Sequence, residues 1–149
     1  MNQTEQVAPG LDGLAQMRAL MASELRTGIG VTLGFRLVEI EEGRAVFEGE
    51  PGVHVHNPIG TVHGGYAAAL LDSACGCAVH SKLAAGQGCT TIEIKIAYHK
   101  AITAQTGRVR AEGTIVSFGR RAAFAQATLT DMSGRLYASA TSSLLVITP

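Results

Sequence analysis

His56-Asn57-Pro58-Ile59-Gly60-Thr61-Val62-His63-Gly64-Gly65, running on into Tyr66-Ala67-Ala68-Ala69-Leu70-Leu71-Asp72, is a polar, glycine-bearing loop that enters an almost wholly apolar helix. Glycines at a helix start let backbone N–H groups approach a ligand closely, and the helix dipole favours negative charge there. The helix then carries Asp72, a lone acid in apolar surroundings. A buried carboxylate costs free energy unless it is paired or has chemistry to perform. The stretch therefore reads as an oxyanion site at the helix start and a carboxylate catalyst further along. The plainer reading of Asp72, a hydrogen-bonded packing acid, stays open at this point.

Around this stretch, 149 residues are enough for one domain with its own core. Lys plus Arg equals Asp plus Glu, 12 of each. No basic tract or arm points to nucleic acid, so no such partner is expected. The opening residues Met1 to Gln6 lack the basic start and apolar run of a secretory signal. The longest apolar stretch, Tyr66 to Val79, falls short of the roughly 20 residues that span a bilayer, and Asp72 interrupts it. A cytoplasmic location without membrane association is the expectation.

Upstream, residues 1–34 read as an N-terminal helix and linker, and 35–149 as the main body of a single structural domain. Leu14, Met17, Leu20, Met21 and Leu25 predict one helix over Gly10 to Arg26, ended by Gly28 and Gly30. Phe35 to Glu41 and Arg44 to Glu50 predict a hairpin turning at Glu42-Gly43. The buried helix is predicted from about Gly65 to Lys82. Strands follow over Thr90 to Tyr98, Arg108 to Ser117, Ala122 to Asp131 and Arg135 to Ile147. In the first of these, alternation puts Ile92, Ile94, Ile96 and Tyr98 on one face, and Thr91, Glu93, Lys95 and Ala97 on the other. The order predicts an α+β fold, an antiparallel sheet curled around a buried helix, with an exposed edge that oligomerisation can cover.

The cysteines Cys75, Cys77 and Cys89 are odd in number and read as small buried hydrophobes rather than a disulfide framework. Cys75 and Cys77 lie two apart on a helix, where they point to different sides. His54, His56 and His63 lack an acid or cysteine at ligand spacing, so no metal is expected. His80 and His99 are isolated and read as ordinary surface or core histidines.

Asn57-x-x-Gly60-x-x-His63-Gly64-Gly65, Leu71-Asp72 and Thr91-Ile92-Glu93-Ile94-Lys95-Ile96-Ala97-Tyr98 resemble the hotdog-fold acyl-CoA thioesterases. The likeness is to the PaaI-like branch and its 4-hydroxybenzoyl-CoA thioesterase relatives. Gly119 to Ala125 and Gly134 to Thr141 match as well, so the resemblance spans roughly Phe35 to Ile147. It implies a curved antiparallel sheet around a central helix, dimers joined sheet edge to sheet edge, and pairing of dimers into a homotetramer. It implies hydrolysis of an acyl-CoA, aryl or medium-chain, with no cofactor beyond the CoA of the substrate. It implies that the Gly64 N–H polarises the thioester carbonyl with help from Asn57, and that Asp72 attacks or activates water. It implies an assisting hydroxyl from Thr91 or its neighbour Thr90. Two departures stand out: some relatives carry Glu in place of Asp72, and aryl-specialised ones carry a hydroxyl one turn later, where this chain has Gly76.

Helix geometry adds a constraint of its own. Gly64 and Asp72 are eight residues apart, which is about 12 Å along one helix. A single thioester carbon must lie about 3 Å from both nucleophile and donor. The expected site is therefore shared, with Gly64 and Asn57 from one subunit and Asp72 and Thr91 from its neighbour. His63 is a candidate base or a cap for the loop, Asn57 also suits a turn before Pro58, and Thr91 also suits a strand. Gly65, Lys100, Arg120 and Arg121 are candidates for holding the CoA portion, since arginine forks match phosphate. A hotdog hydratase or dehydratase using His63, and a non-catalytic acyl-CoA binding protein, are the alternatives.

Overall fold

A computed structural model describes residues 3–23 and 28–148. Three short helices come first: α1 (Gln3–Val7), α2 (Gly13–Ala22) and α3 (Ile29–Leu33). The hairpin β1 (Phe35–Glu41) and β2 (Arg44–Gly49) follows, then a single 3₁₀ turn (Val53–Val55) and the long helix α4 (Gly64–His80). The chain closes with β3 (Gly88–Tyr98), β4 (Val109–Phe118), β5 (Ala122–Asp131) and β6 (Leu136–Ile147).

The six strands form one antiparallel sheet in the order β1-β2-β4-β5-β6-β3. Chain order and sheet order part at α4. The chain leaves β2, runs through α4, and re-enters at the far edge as β3, which pairs with β6. Every strand touches α4, so the sheet curves around the helix, the α+β hotdog architecture that the pattern predicts. β5 shows why: Ala123, Ala125, Ala127 and Leu129 are buried while Gln126 and Thr128 face out. On the helix, Ala67, Leu70, Leu71, Ala74, Cys75 and Ala78 are buried against that face. No helix among the described residues is long and apolar enough to cross a membrane.

Small residues set the spacing between helix and sheet. A Cβ on Gly113 of β4 would overlap the backbone of Ala74 and Cys75, so the two backbones meet there with nothing between them. No rotamer change relieves a clash with backbone, and overpacking costs roughly 1–3 kcal/mol or more.

The amino-terminal region differs from the sequence expectation. Where one helix over residues 10–26 is expected, the described residues hold α2 (Gly13–Ala22), and the flanking α1 and α3 lie outside that span. Asp12 caps α2, its carboxylate accepting from the Ala15 N–H at 2.9 Å, so the helix starts three residues later than expected. Gly28 does not end a helix but begins α3, and Gly34 closes it in the left-handed region at φ 72°. Leu25 lies outside the described residues. Met17 does reach the interior, packing with Ile40, Ala45 and Ala78, and Leu14 and Leu20 pack partly against that cluster. Gln16 ties this layer to α4, donating to Glu5 Oε1 and pairing with His80 Nε2, both at 2.9 Å.

This core sets expectations for stability. Gly113→Ala should lower it by more than about 2 kcal/mol in chemical denaturation. Wild-type stability in that variant would show that α4 can lift from the sheet without cost. A second expectation concerns alkaline pH. Burial pushes the Tyr66 hydroxyl up to about 12 from 10.0, with Glu50's charge adding, and pushes Cys75 and Cys77 up to about 12 from 9.0. The unfolded chain ionises these groups first, so their stabilising effect is complete below about pH 9 and is lost as pH rises towards 12. The Tm should hold near neutrality and fall steadily above that point. The Tyr66 hydroxyl also has no hydrogen-bond partner among the described residues, although the residue is 2% exposed. Tyr66→Phe should therefore raise the Tm rather than lower it, and a drop would contradict the orphaned hydroxyl.

Candidate active site

The first turn of α4 is held by its own sequence. His63 is the N-cap, and its Nδ1 accepts from the Gly65 N–H at 2.8 Å. That acceptor role requires the neutral tautomer with the proton on Nε2. The Tyr66 N–H turns back to the His63 carbonyl at 3.0 Å. Between them the Gly64 N–H meets no acceptor among the described residues, the one donor this turn leaves open.

Gly64 lines a cavity of about 410 Å³ together with Val62, His63, Tyr98, Lys100 and Tyr137. Tyr98, at the end of β3, donates its hydroxyl to the Gly64 carbonyl at 2.7 Å. The Tyr98 ring covers Gly64 so closely that a Cβ there would lie 3.1 Å from it.

Further along α4, Asp72 is half-buried and accepts from the Thr91 hydroxyl at 2.9 Å through Oδ1. Among the described residues it has no cation beside it. The contrast with the sheet is plain: Glu39, Glu48 and Glu112 are each paired with Arg44 or Arg110. Hydrogen bonds from those arginines hold Glu39 below its ordinary carboxylate value. The Asp72 charge acts instead on the cysteines around it, adding to the burial that pushes up Cys75, Cys77 and Cys89. These thiols are protonated at neutral pH and serve as packing. Among the described residues no group of three His, Cys, Asp or Glu side chains is placed to hold a metal.

Thr91 reaches Asp72 because β3 is bulged. Thr91 pairs with Leu144 and Glu93 with Ser143, so Ile92 is an extra residue without a partner. The bulge shifts the alternation by one. Thr91 joins Ile94 and Ile96 on the helix side, and Ile92 is left 64% exposed. This corrects the expectation that Thr91 and Ile94 occupy opposite faces. It also separates Thr91 from Thr90, which is exposed and pairs with Leu145.

The remaining candidates are placed as follows. Asn57 organises its own loop, its Oδ1 accepting from the Ile59 and Thr61 N–H groups and its Nδ2 donating to Thr61 Oγ1 at 2.9 Å. It does not line the Gly64 cavity within one chain. Lys100 does, and no acid among the described residues pairs with it. Arg120 and Arg121 sit on the exposed β4–β5 turn. That turn follows Phe118, whose ring lies 5.9 Å from Lys82 Nζ beyond the other end of α4. One chain therefore does not bring Lys100 and the two arginines together. Tyr98 is the site residue that sequence reasoning passed over. Its position as the last residue of the alternating strand, before His99-Lys100, was the available signal.

The profile of the thioesterase superfamily matches residues 59–138, which include the capped helix start, Asp72 and Thr91. The chain belongs to this superfamily. A similar sequence is the 1,4-dihydroxy-2-naphthoyl-CoA hydrolase of Listeria monocytogenes serotype 1/2a (strain 10403S). It is 28% identical over 109 residues, covering 73% of this chain and 87% of that protein. Among solved structures, a thioesterase family protein from Silicibacter pomeroyi superposes with a TM-score of 0.80 at 27% identity, over 91% of this chain and 99% of that one. A variant of the phenylacetic acid degradation protein PaaI from Thermus thermophilus gives 0.71 at 28% identity, over 78% and 96%.

For this thioesterase, Thr91→Val keeps the shape of the side chain and removes the bond to Asp72. The expected result is a loss of about tenfold in turnover with a Tm close to wild type. Unchanged turnover would make the contact one of packing alone.

Proposed function

We propose that this protein hydrolyses an acyl-CoA thioester to the free acid and CoA at a site assembled from two subunits. The observation that carries this reading is the single open donor at Gly64, set on the same helix as a carboxylate that has no cation. The Gly64 N–H receives the charge that develops on the thioester oxygen, in a cavity whose helix dipole already favours it. Asp72, turned by Thr91 through one oxygen, keeps its other oxygen for the reaction. It takes a proton from water as that water attacks, or it attacks the acyl carbon itself and water then cleaves the anhydride. In both courses the C–S bond breaks, CoA leaves as a thiolate that gains a proton, and a water oxygen ends on the acid.

The two groups lie about 12 Å apart along α4, so one chain cannot bring both to the same carbon. β3, one of the two edge strands of the sheet, carries Thr91 and runs beside Asp72. Joining two copies at this edge supplies the Gly64 cavity from one and the Asp72–Thr91 pair from the other. The same arrangement moves one chain's Arg120–Arg121 turn towards its partner's Lys100, consistent with a cationic rim for CoA phosphates. A homodimer, paired further into a homotetramer, is the assembly this reading takes. An aryl or medium-chain acyl group is its substrate class, and the name of the naphthoyl-CoA hydrolase it resembles supports the aryl part. His63 has committed Nδ1 to the helix cap, which favours hydrolysis over a hydratase that relies on that ring.

Gly64→Pro removes the donor while suiting the first helical position, and His63 already has the extended backbone, ψ 136°, that a following proline needs; the proline Cβ also displaces the Tyr98 ring, so the loss it causes includes that displacement. Gly64→Pro and Asp72→Ala should each lose at least about 100-fold in thiol release from aryl- and alkyl-CoA esters. Co-refolded in equal amounts, the two inactive chains should recover about a quarter of wild-type turnover, since half the dimers then hold one intact site. Verified heterodimers with no activity would rule out sharing.

A further inference from the structure

Gly64 and Gly65 are two glycines in succession at the point where a donor must be held still. Glycine carries the widest backbone freedom of any residue, so this turn has the least intrinsic reason to stay in one orientation. The peptide joining them is gripped at both ends by side chains: His63 Nδ1 takes its N–H at 2.8 Å, and the Tyr98 hydroxyl donates to its carbonyl at 2.7 Å. Tyr98 contributes shape as well, because its ring occupies the space a side chain at residue 64 would need. It does so from β3, the strand that also carries Thr91. Within one chain Tyr98 is about half exposed and lines the same cavity as Gly64.

We infer that Tyr98 is a positioning residue for the thioesterase reaction: its hydroxyl holds the Gly64 carbonyl and its ring packs on Gly64, which together restrict the φ and ψ of Gly64 and so the direction of its open N–H, carried by the preceding His63–Gly64 peptide, towards the thioester oxygen. This inference rests on the proposed hydrolysis. The hydroxyl does not touch the reacting atoms. Its effect therefore falls on the alignment of the donor rather than on the affinity for CoA. Preorganised donors gain their advantage from needing no reorganisation as charge develops, and a diglycine turn released at one end loses part of that advantage.

The test is Tyr98→Phe, which keeps the ring over Gly64 and removes only the hydroxyl. Turnover of a benzoyl-CoA or hexanoyl-CoA substrate accepted by the wild type should fall roughly tenfold with KM unchanged, and with the shape of the pH profile unchanged. A second readout reports on the donor directly. In a non-cleavable ketone analogue of the substrate, with a methylene in place of sulfur, the infrared carbonyl band of the bound ligand should lie lower in the wild type than in Tyr98→Phe. A merely structural role would lower the Tm without separating the two carbonyl bands. Wild-type kcat and an identical carbonyl band in Tyr98→Phe, while Asp72→Ala is inactive, would overturn the role of Tyr98 and leave the thioesterase reading intact. Failure of the wild type to release thiol from any acyl-CoA would overturn that reading and the inference with it.

Discussion

α4 lies on a floor of alanines, with Gly113 directly beneath Ala74, and so sits closer to the sheet than larger side chains would permit. With its inner face fixed at that distance, the helix has no freedom to roll. Ala67, Leu70, Leu71, Ala74 and Ala78 are committed to the sheet, and this orientation sets Asp72 beside β3 and the helix start beside Tyr98. Close packing turns the register of a helix into a coordinate for its polar residues.

β3 has two tasks as a result. It is one edge of the sheet, bonded on one side to β6, and its backbone offers a second row of pairing groups. It also touches α4 at two points, through Thr91 and through Tyr98. Under the proposed function, an edge that presents these two contacts together with open backbone groups would link assembly to chemistry without any added element. The bulge at Ile92 is the local device that makes both tasks compatible, because it rotates Thr91 inward while the strand continues.

Charge is distributed with the same division. On the sheet, Glu39, Glu48 and Glu112 face Arg44 and Arg110 across neighbouring strands. Such half-exposed pairs add modestly to stability and weaken with salt. The helix has no such neutralisation. Asp72 is the acid of α4, and a hydroxyl rather than a cation attends it. A carboxylate oriented but not neutralised keeps its nucleophilic and basic capacity, which a paired one gives up.

The sequence by itself determined the hairpin and three of the four later strands to within a residue, and the buried helix to within two, because apolar period and turn residues are local signals. It also determined the glycine-rich helix start and the acid eight residues on, since both are written in one continuous stretch. Tertiary structure decided what local signals do not encode. The bulge in β3 depends on pairing with β6, so strict alternation put Thr91 on the wrong face. The division of the amino-terminal region into three helices depends on the Asp12 cap and on the packing of Gln16 and Met17 against α4 and β1. Asn57 looked equally suited to a turn or a ligand until its loop closed around its amide. The grip of Tyr98 on Gly64 joins residues 34 positions apart, and contacts of that kind exist only once the helix has settled on its sheet.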